Sequence, residues 1–98
     1  MAVTASAPAH VSPGATFEIE VFVDGATPGE GLTVTVSHDV GPGSGSNQPP
    51  REGTADAEGS GCFVFPETAA EGLHGYAAVV IGTKSGLLGI ASVSVRSA

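Results

Sequence analysis

Between Thr16 and Val23 the chain alternates: Phe17, Ile19, Val21 and Val23 take one parity, Thr16, Glu18 and Glu20 the other. Period-two alternation in residues that suit a pleated surface predicts a strand with one face in the core and one in water. The stretch GLTVTVSH repeats the device, with Leu32, Val34 and Val36 inward and Thr33, Thr35 and Ser37 outward. Glycine and proline in the intervening DGATPGEG mark a short antiparallel connection. Further on, GTADAEGSGCFVFP predicts a strand, a glycine-rich turn at 58–61 and a second strand stopped by Pro66. HGYAAVVI and LLGIASVSV, joined by GTKSG, predict a closing hairpin, and VTASAP adds a strand at the front. Glycine and proline interrupt every candidate helical window. About seven short strands at this spacing predict one all-β antiparallel sandwich over residues 1–98.

Two features depart from that rhythm. Residues 41–53, GPGSGSNQPPREG, carry no apolar anchor except prolines and predict a flexible Gly/Ser/Pro-rich surface loop. Its QPPR end is stiffened toward polyproline II and would suit an arm reaching a partner. The second departure is apolar residues on both parities of the last hairpin. With Tyr76, Ala78 and Val80 in the core, Val79 and Ile81 point outward, and Leu88 and Ile90 are expected to join them across the hairpin. Phe22, on the parity of Glu18 and Glu20, is a further apolar outlier. Together these five residues predict an exposed patch of a few hundred Å², the size at which a partner is implied.

Composition narrows the function. A chain of 98 residues supports one modest core. Ten acidic residues against three basic ones give a net charge of -7, a field that repels phosphate and argues against nucleic-acid binding. No apolar run approaches the length of a membrane-spanning helix. The opening MAVTASAPAHV has neither a basic region nor a continuous apolar one, so the chain is expected to work where it is made, or to be an excised module behind an added Met. Cys62 is alone, which suits a reducing compartment, and is expected to be a small buried hydrophobe.

Candidate chemistry is thin. No two of His10, His38 and His74 have a spacing that places them on one face of one element, so no metal is expected. Ser37, His38 and Asp39 are the residue types of a hydrolytic triad, but strand neighbours point to opposite faces and cannot bond in series. Glu18 and Glu20 share a face with no cleft to perturb them and read as solvated charges. DAEGSG lacks the oxygen ligands of a calcium loop. With no Trp and one Tyr, a carbohydrate platform is not expected. Neither catalysis nor a cofactor is expected.

The succession SPGATFEIEVFV, PGEGLTVTV, GTADAEGSGCFVFP, ETAAEGLHGYAAVV and IASVSV resembles bacterial and bacteriophage immunoglobulin-like domains over residues 2–95. The shared features are a Pro-Gly turn before the second strand, a glycine turn before the strand ending in proline, and a glycine leading into an aromatic at the penultimate strand. The chain departs from the family in lacking the third-strand Trp and a cysteine pair. On the family's spacing from Pro66 through Gly72, His74 rather than Tyr76 takes the aromatic corner position. The resemblance implies that His74 and Tyr76 are structural, tying the strand's entry to the chain just upstream. It also implies a binding module, expected to be a bacteriophage virion protein, made in the host cytoplasm, that decorates or cements capsid or tail through the patch. Its partners would be capsid or tail subunits, or neighbouring immunoglobulin-like domains. The alternative is a repeat of a secreted bacterial surface protein, an adhesin or an accessory domain of an extracellular enzyme.

Overall fold

The structure is a computed structural model that describes residues 2–41, 44–47 and 49–97. The described residues form eight strands: β1 (Ala2–Ser6), β2 (Thr16–Asp24), β3 (Gly31–Gly41), β4 (Ser44–Asn47), β5 (Arg51–Thr54), β6 (Gly61–Thr68), β7 (Gly72–Gly82) and β8 (Gly86–Ser97). They make two antiparallel sheets, one in the order β1-β2-β6 and the other in the order β4-β3-β7-β8, with β5 also paired to β3. This is the all-β sandwich that the alternation predicts.

The alternating positions meet between the sheets. Along β2 burial switches at every residue, and Ile19 and Val21 are fully enclosed. Leu32, Val34 and Val36 of β3 and Tyr76, Ala78 and Val80 of β7 face them, with Phe65 of β6 completing the centre. Each of the valine, leucine, isoleucine and phenylalanine side chains among them contributes about 1.5–3 kcal/mol when taken out of water, which is what holds sheets of such short strands together.

The segment expected as a flexible loop is built into the larger sheet. Ser37 to Gly41 pair with β4, and Gly31 to Val34 pair with β5, so β4 and β5 are two pieces of one edge strand lying antiparallel to β3. Pro49 and Pro50 stand between the pieces, where a residue without an N–H leaves the ladder. The glycines and serines of this segment gave no side-chain signal, because backbone pairing with the 11-residue β3 is what orders them. Arg51 helps hold β5 down, its guanidinium lying 5.2 Å from the centroid of the Phe65 ring. Pro42, Gly43 and Gln48 of the expected loop lie outside the described residues.

The N-terminal segment changes sheets. β1 pairs with β2, but beyond Pro8 the chain crosses to β8, where Val11 N–H donates to the Arg96 carbonyl (3.0 Å) and Arg96 N–H donates to the Ala9 carbonyl (2.9 Å). That parallel bridge covers one end of the β8 edge, a position at which an open strand would invite unwanted pairing.

Candidate functional site

The outer face of the five-stranded sheet is set by register. Val79 lies opposite Ile90, Ile81 opposite Leu87, and Thr35 and Thr33 flank them from β3. Ile81, Leu87 and Ile90 are 49 %, 60 % and 63 % exposed, which makes them side chains held in water rather than rim atoms of the core. Val79, half-buried, sits between them. Toward the Gly72 end the same face continues through Ala77, Ser92, Gly75 and Ser94 to exposed Leu73.

Two of the expected patch residues lie elsewhere. Leu88 is core, 7 % exposed, because the ladder shifts register between Val80 and Ile81. Val80 faces Gly89 and Ile81 faces Leu87, so Leu88 is the extra residue of a bulge and turns inward. Its outer position is taken by Leu87, which strict alternation had hidden. Phe22 is exposed but sits on β2, on the outer face of the other sheet, directly opposite Cys62. It cannot join the patch. Cys62 is exposed rather than buried, since its parity on β6 is the outward one.

The hairpin is fixed at its turn by a buried carboxylate. Glu30, 1 % exposed, accepts hydrogen bonds from the N–H of Thr27 (2.6 Å), Lys84 (2.9 Å) and Ser85 (3.0 Å) and from the Ser85 hydroxyl (2.6 Å). The Ser85 hydroxyl is the strongest influence on its acidity, and together with those backbone donors it outweighs burial and holds the carboxyl at about 2. Gly82 is required beside it: a Cβ there would collide with the Glu30 carboxylate. Glu30 thus ties the β2–β3 turn to the β7–β8 turn and sets the geometry of the hairpin that carries Ile81 and Leu87. A lone Glu in a Pro-Gly-Glu-Gly turn looks solvated in the sequence, because all its donors but the Thr27 N–H come from residues more than 50 positions away.

At the opposite end, four rings pack between the sheets. Tyr76 meets Phe17 edge to face (centroids 5.8 Å apart) and stacks on His38 (4.4 Å, 16° between planes), which in turn meets the edge of His74 (5.0 Å). His38 and Tyr76 are cross-strand partners on β3 and β7, a pairing that spacing within one strand could not reveal. His38 and His74 are therefore in ring contact, where the sequence predicted no association. His74 Nε2–H donates to the Glu71 carbonyl (3.0 Å), three residues upstream, across a bend made possible by Gly72 at φ 108°. Burial pushes the Tyr76 phenol above its usual value, with the negative charge of Glu67 adding to it. A phenol held protonated is a packing group here. His74→Phe, which keeps the ring and removes the donor, is expected to cost about 0.5–1.5 kcal/mol in urea denaturation. An unchanged midpoint would mean that the bond to Glu71 contributes nothing.

Glu18 and Glu20 are exposed on the outer face of the smaller sheet. Asp56 is occupied as a turn acceptor for the N–H of Glu58 and Ser60 (2.9 Å each). Among the described residues no three His, Cys, Asp or Glu side chains converge as metal ligands.

No known family model matches the chain, and no curated protein sequence does. Solved structures do match. The CARDB domain of a Pyrococcus furiosus protein, solved in complex with di-metal ions, superposes with a TM-score of 0.74 at 17 % identity, covering 98 % of this chain and 85 % of that one. A β-glucosidase from Listeria innocua, solved in complex with glucose, gives a TM-score of 0.58 at 15 % identity over 97 % of this chain and 16 % of the enzyme. At such identities the likeness is one of fold, and the fold is an immunoglobulin-like antiparallel β-sandwich.

Proposed function

We propose that this chain is a non-catalytic docking module that attaches to a larger protein assembly through the outer face of its five-stranded sheet. The observation that carries the reading is the exposure of Ile81, Leu87 and Ile90 side by side on a chain of net charge -7. Exposed apolar side chains gathered on one rigid face supply buried area at about 25 cal/mol per Å² when a partner covers them. The Glu30 tether holds that face in one shape, so little ordering cost falls on binding.

Two settings supply such an assembly. In one, the chain decorates or cements a bacteriophage capsid or tail. In the other, it is one domain of a longer surface or secreted protein, a setting favoured by the structural likeness to a segment that is 16 % of the β-glucosidase. The metal ions and the glucose of those two structures are not carried over, since 17 % and 15 % identity support a fold and no ligand set. Capsid or tail genes beside the coding sequence support the first setting, and an open frame into similar repeats supports the second.

The test is Ile81→Asp. Because Ile81 is 49 % exposed, the variant is expected to keep its circular dichroism and melting temperature while losing the proteins that the parent chain retains in a pull-down. Attachment at parental strength would remove this face from the function.

A further inference from the structure

We propose that the corner where the N-terminal segment joins β8 is an oxyanion site, formed by Arg96, His10 and Ser12, and that its ligand is a carboxylate. The site lies beyond the docking face and stands or falls independently of it.

Backbone pairing sets the two basic side chains together. His10 is bridged in parallel to Arg96, with the Arg96 N–H donating to the Ala9 carbonyl (2.9 Å) and the Val11 N–H donating to the Arg96 carbonyl (3.0 Å). Arg96 stands between Val95 and Ser97, which are 2 % and 1 % exposed, so strand alternation sends its own side chain outward. His10 and Ser12 are exposed beside it. Ser12 opens a turn that is tied down by the main chain: its carbonyl accepts from the Ala15 N–H (3.0 Å), and the Gly14 N–H donates to the Ala69 carbonyl (2.8 Å). The backbone of the site is therefore ordered before any ligand arrives, which lowers the cost of binding.

The donor set names the ligand. His10, Val11, Ser12 and Arg96 line an open cleft of about 190 Å³, and no carboxylate lines it with them. Its side chains offer a guanidinium with its fork of N–H donors, an imidazole and a hydroxyl. Among the described residues no Asp or Glu pairs with the Arg96 guanidinium, although the chain carries ten acidic residues. A guanidinium without a counter-charge, beside two further donors, calls for an oxyanion. The net charge of -7 decides which kind, because that field opposes a dianion such as phosphate more strongly than a monoanion. A carboxylate also presents two oxygens that match the guanidinium fork. The cleft has room for one carried on a few carbons, such as the end of an Asp or Glu side chain. Because the cleft is open to water, dissociation in the range of about 1–30 mM is expected.

Titration of the whole chain at constant ionic strength, followed by two-dimensional NMR of its N–H groups, tests this. The probes are acetate, a glutamate blocked at both ends, and inorganic phosphate. Acetate is expected to give saturable shifts clustered at His10, Val11, Ser12 and Arg96, with phosphate binding more weakly at neutral pH. Arg96→Gln should weaken acetate at least about tenfold, and His10→Gln about threefold, with the melting curve unchanged because both side chains are exposed. Ser12→Ala, which leaves both charges in place, should weaken it by a smaller factor. Blocked glutamate binding more tightly than acetate identifies a protein side chain as the source of the carboxylate, and acetate binding at least as tightly identifies a free small acid; either result upholds the site. Shifts that stay linear to about 100 mM, that scatter over the surface, or that persist at parental strength in Arg96→Gln overturn the proposal. Phosphate binding more tightly than acetate overturns the choice of a carboxylate.

Discussion

Leu88→Asp is expected to leave the chain unfolded at 37 °C, while Leu87→Asp, one residue earlier, is expected to melt within about 2 °C of the parent. Leu88 is 7 % exposed and packed in the core, whereas Leu87 is 60 % exposed on the outer face. Truncating a buried leucine costs about 2–5 kcal/mol, and an unpaired carboxylate in that site adds several more. A domain of this size has only about 5–10 kcal/mol to lose. Far-UV circular dichroism and urea titration of the two variants measure the contrast. Equal melting of both would show that the register shift at Val80 and Ile81 does not exist, and that Leu88 belongs on the docking face after all.

Glu30→Gln is expected to lower the melting temperature by about 10 °C at neutral pH, since an amide places its own donors against N–H groups that a carboxylate satisfies. The pH dependence follows from the same site. The carboxyl titrates at about 2 in the folded chain against 4.5 for an ordinary Glu, so its stabilisation is fully present above 4.5 and is lost as pH falls toward 2. The parent should therefore lose stability across that acid window more steeply than Glu30→Gln, and the two melting curves should converge at its lower end. Parallel pH profiles would show that Glu30 is not the titrating group. Because Glu30 anchors the turn between Ile81 and Leu87, the variant should also weaken attachment to the assembly, even where the chain remains folded.

Much of the fold was legible because period-two alternation is a local property. Phe17, Ile19, Val21 and Val23 announce a core face from their own spacing, and Leu32, Val34 and Val36 announce its partner. Ile81 and Ile90 could be placed outside in the same way. Leu88 could not, since a bulge changes parity without a residue type that marks it, and Leu87 was missed for the same reason. The strand at Ser44–Asn47 was illegible because its glycines and serines carry no pattern and only β3 supplies its hydrogen-bond partners.

The sequence by itself determined the class of the protein. Alternation, turn residues and the absence of helical periodicity leave an antiparallel sandwich, and a net charge of -7 argues against a nucleic-acid role. Only the tertiary structure decided which outlying residues share a surface. It moved Phe22 to the far sheet, turned Leu88 into the core, brought His38 onto Tyr76 and closed Lys84 and Ser85 around Glu30. The physical reason is that a side chain's parity follows from its neighbours in the chain, whereas its company depends on register between strands distant in sequence. That register is set by the bulges, caps and pairings of the folded sheet.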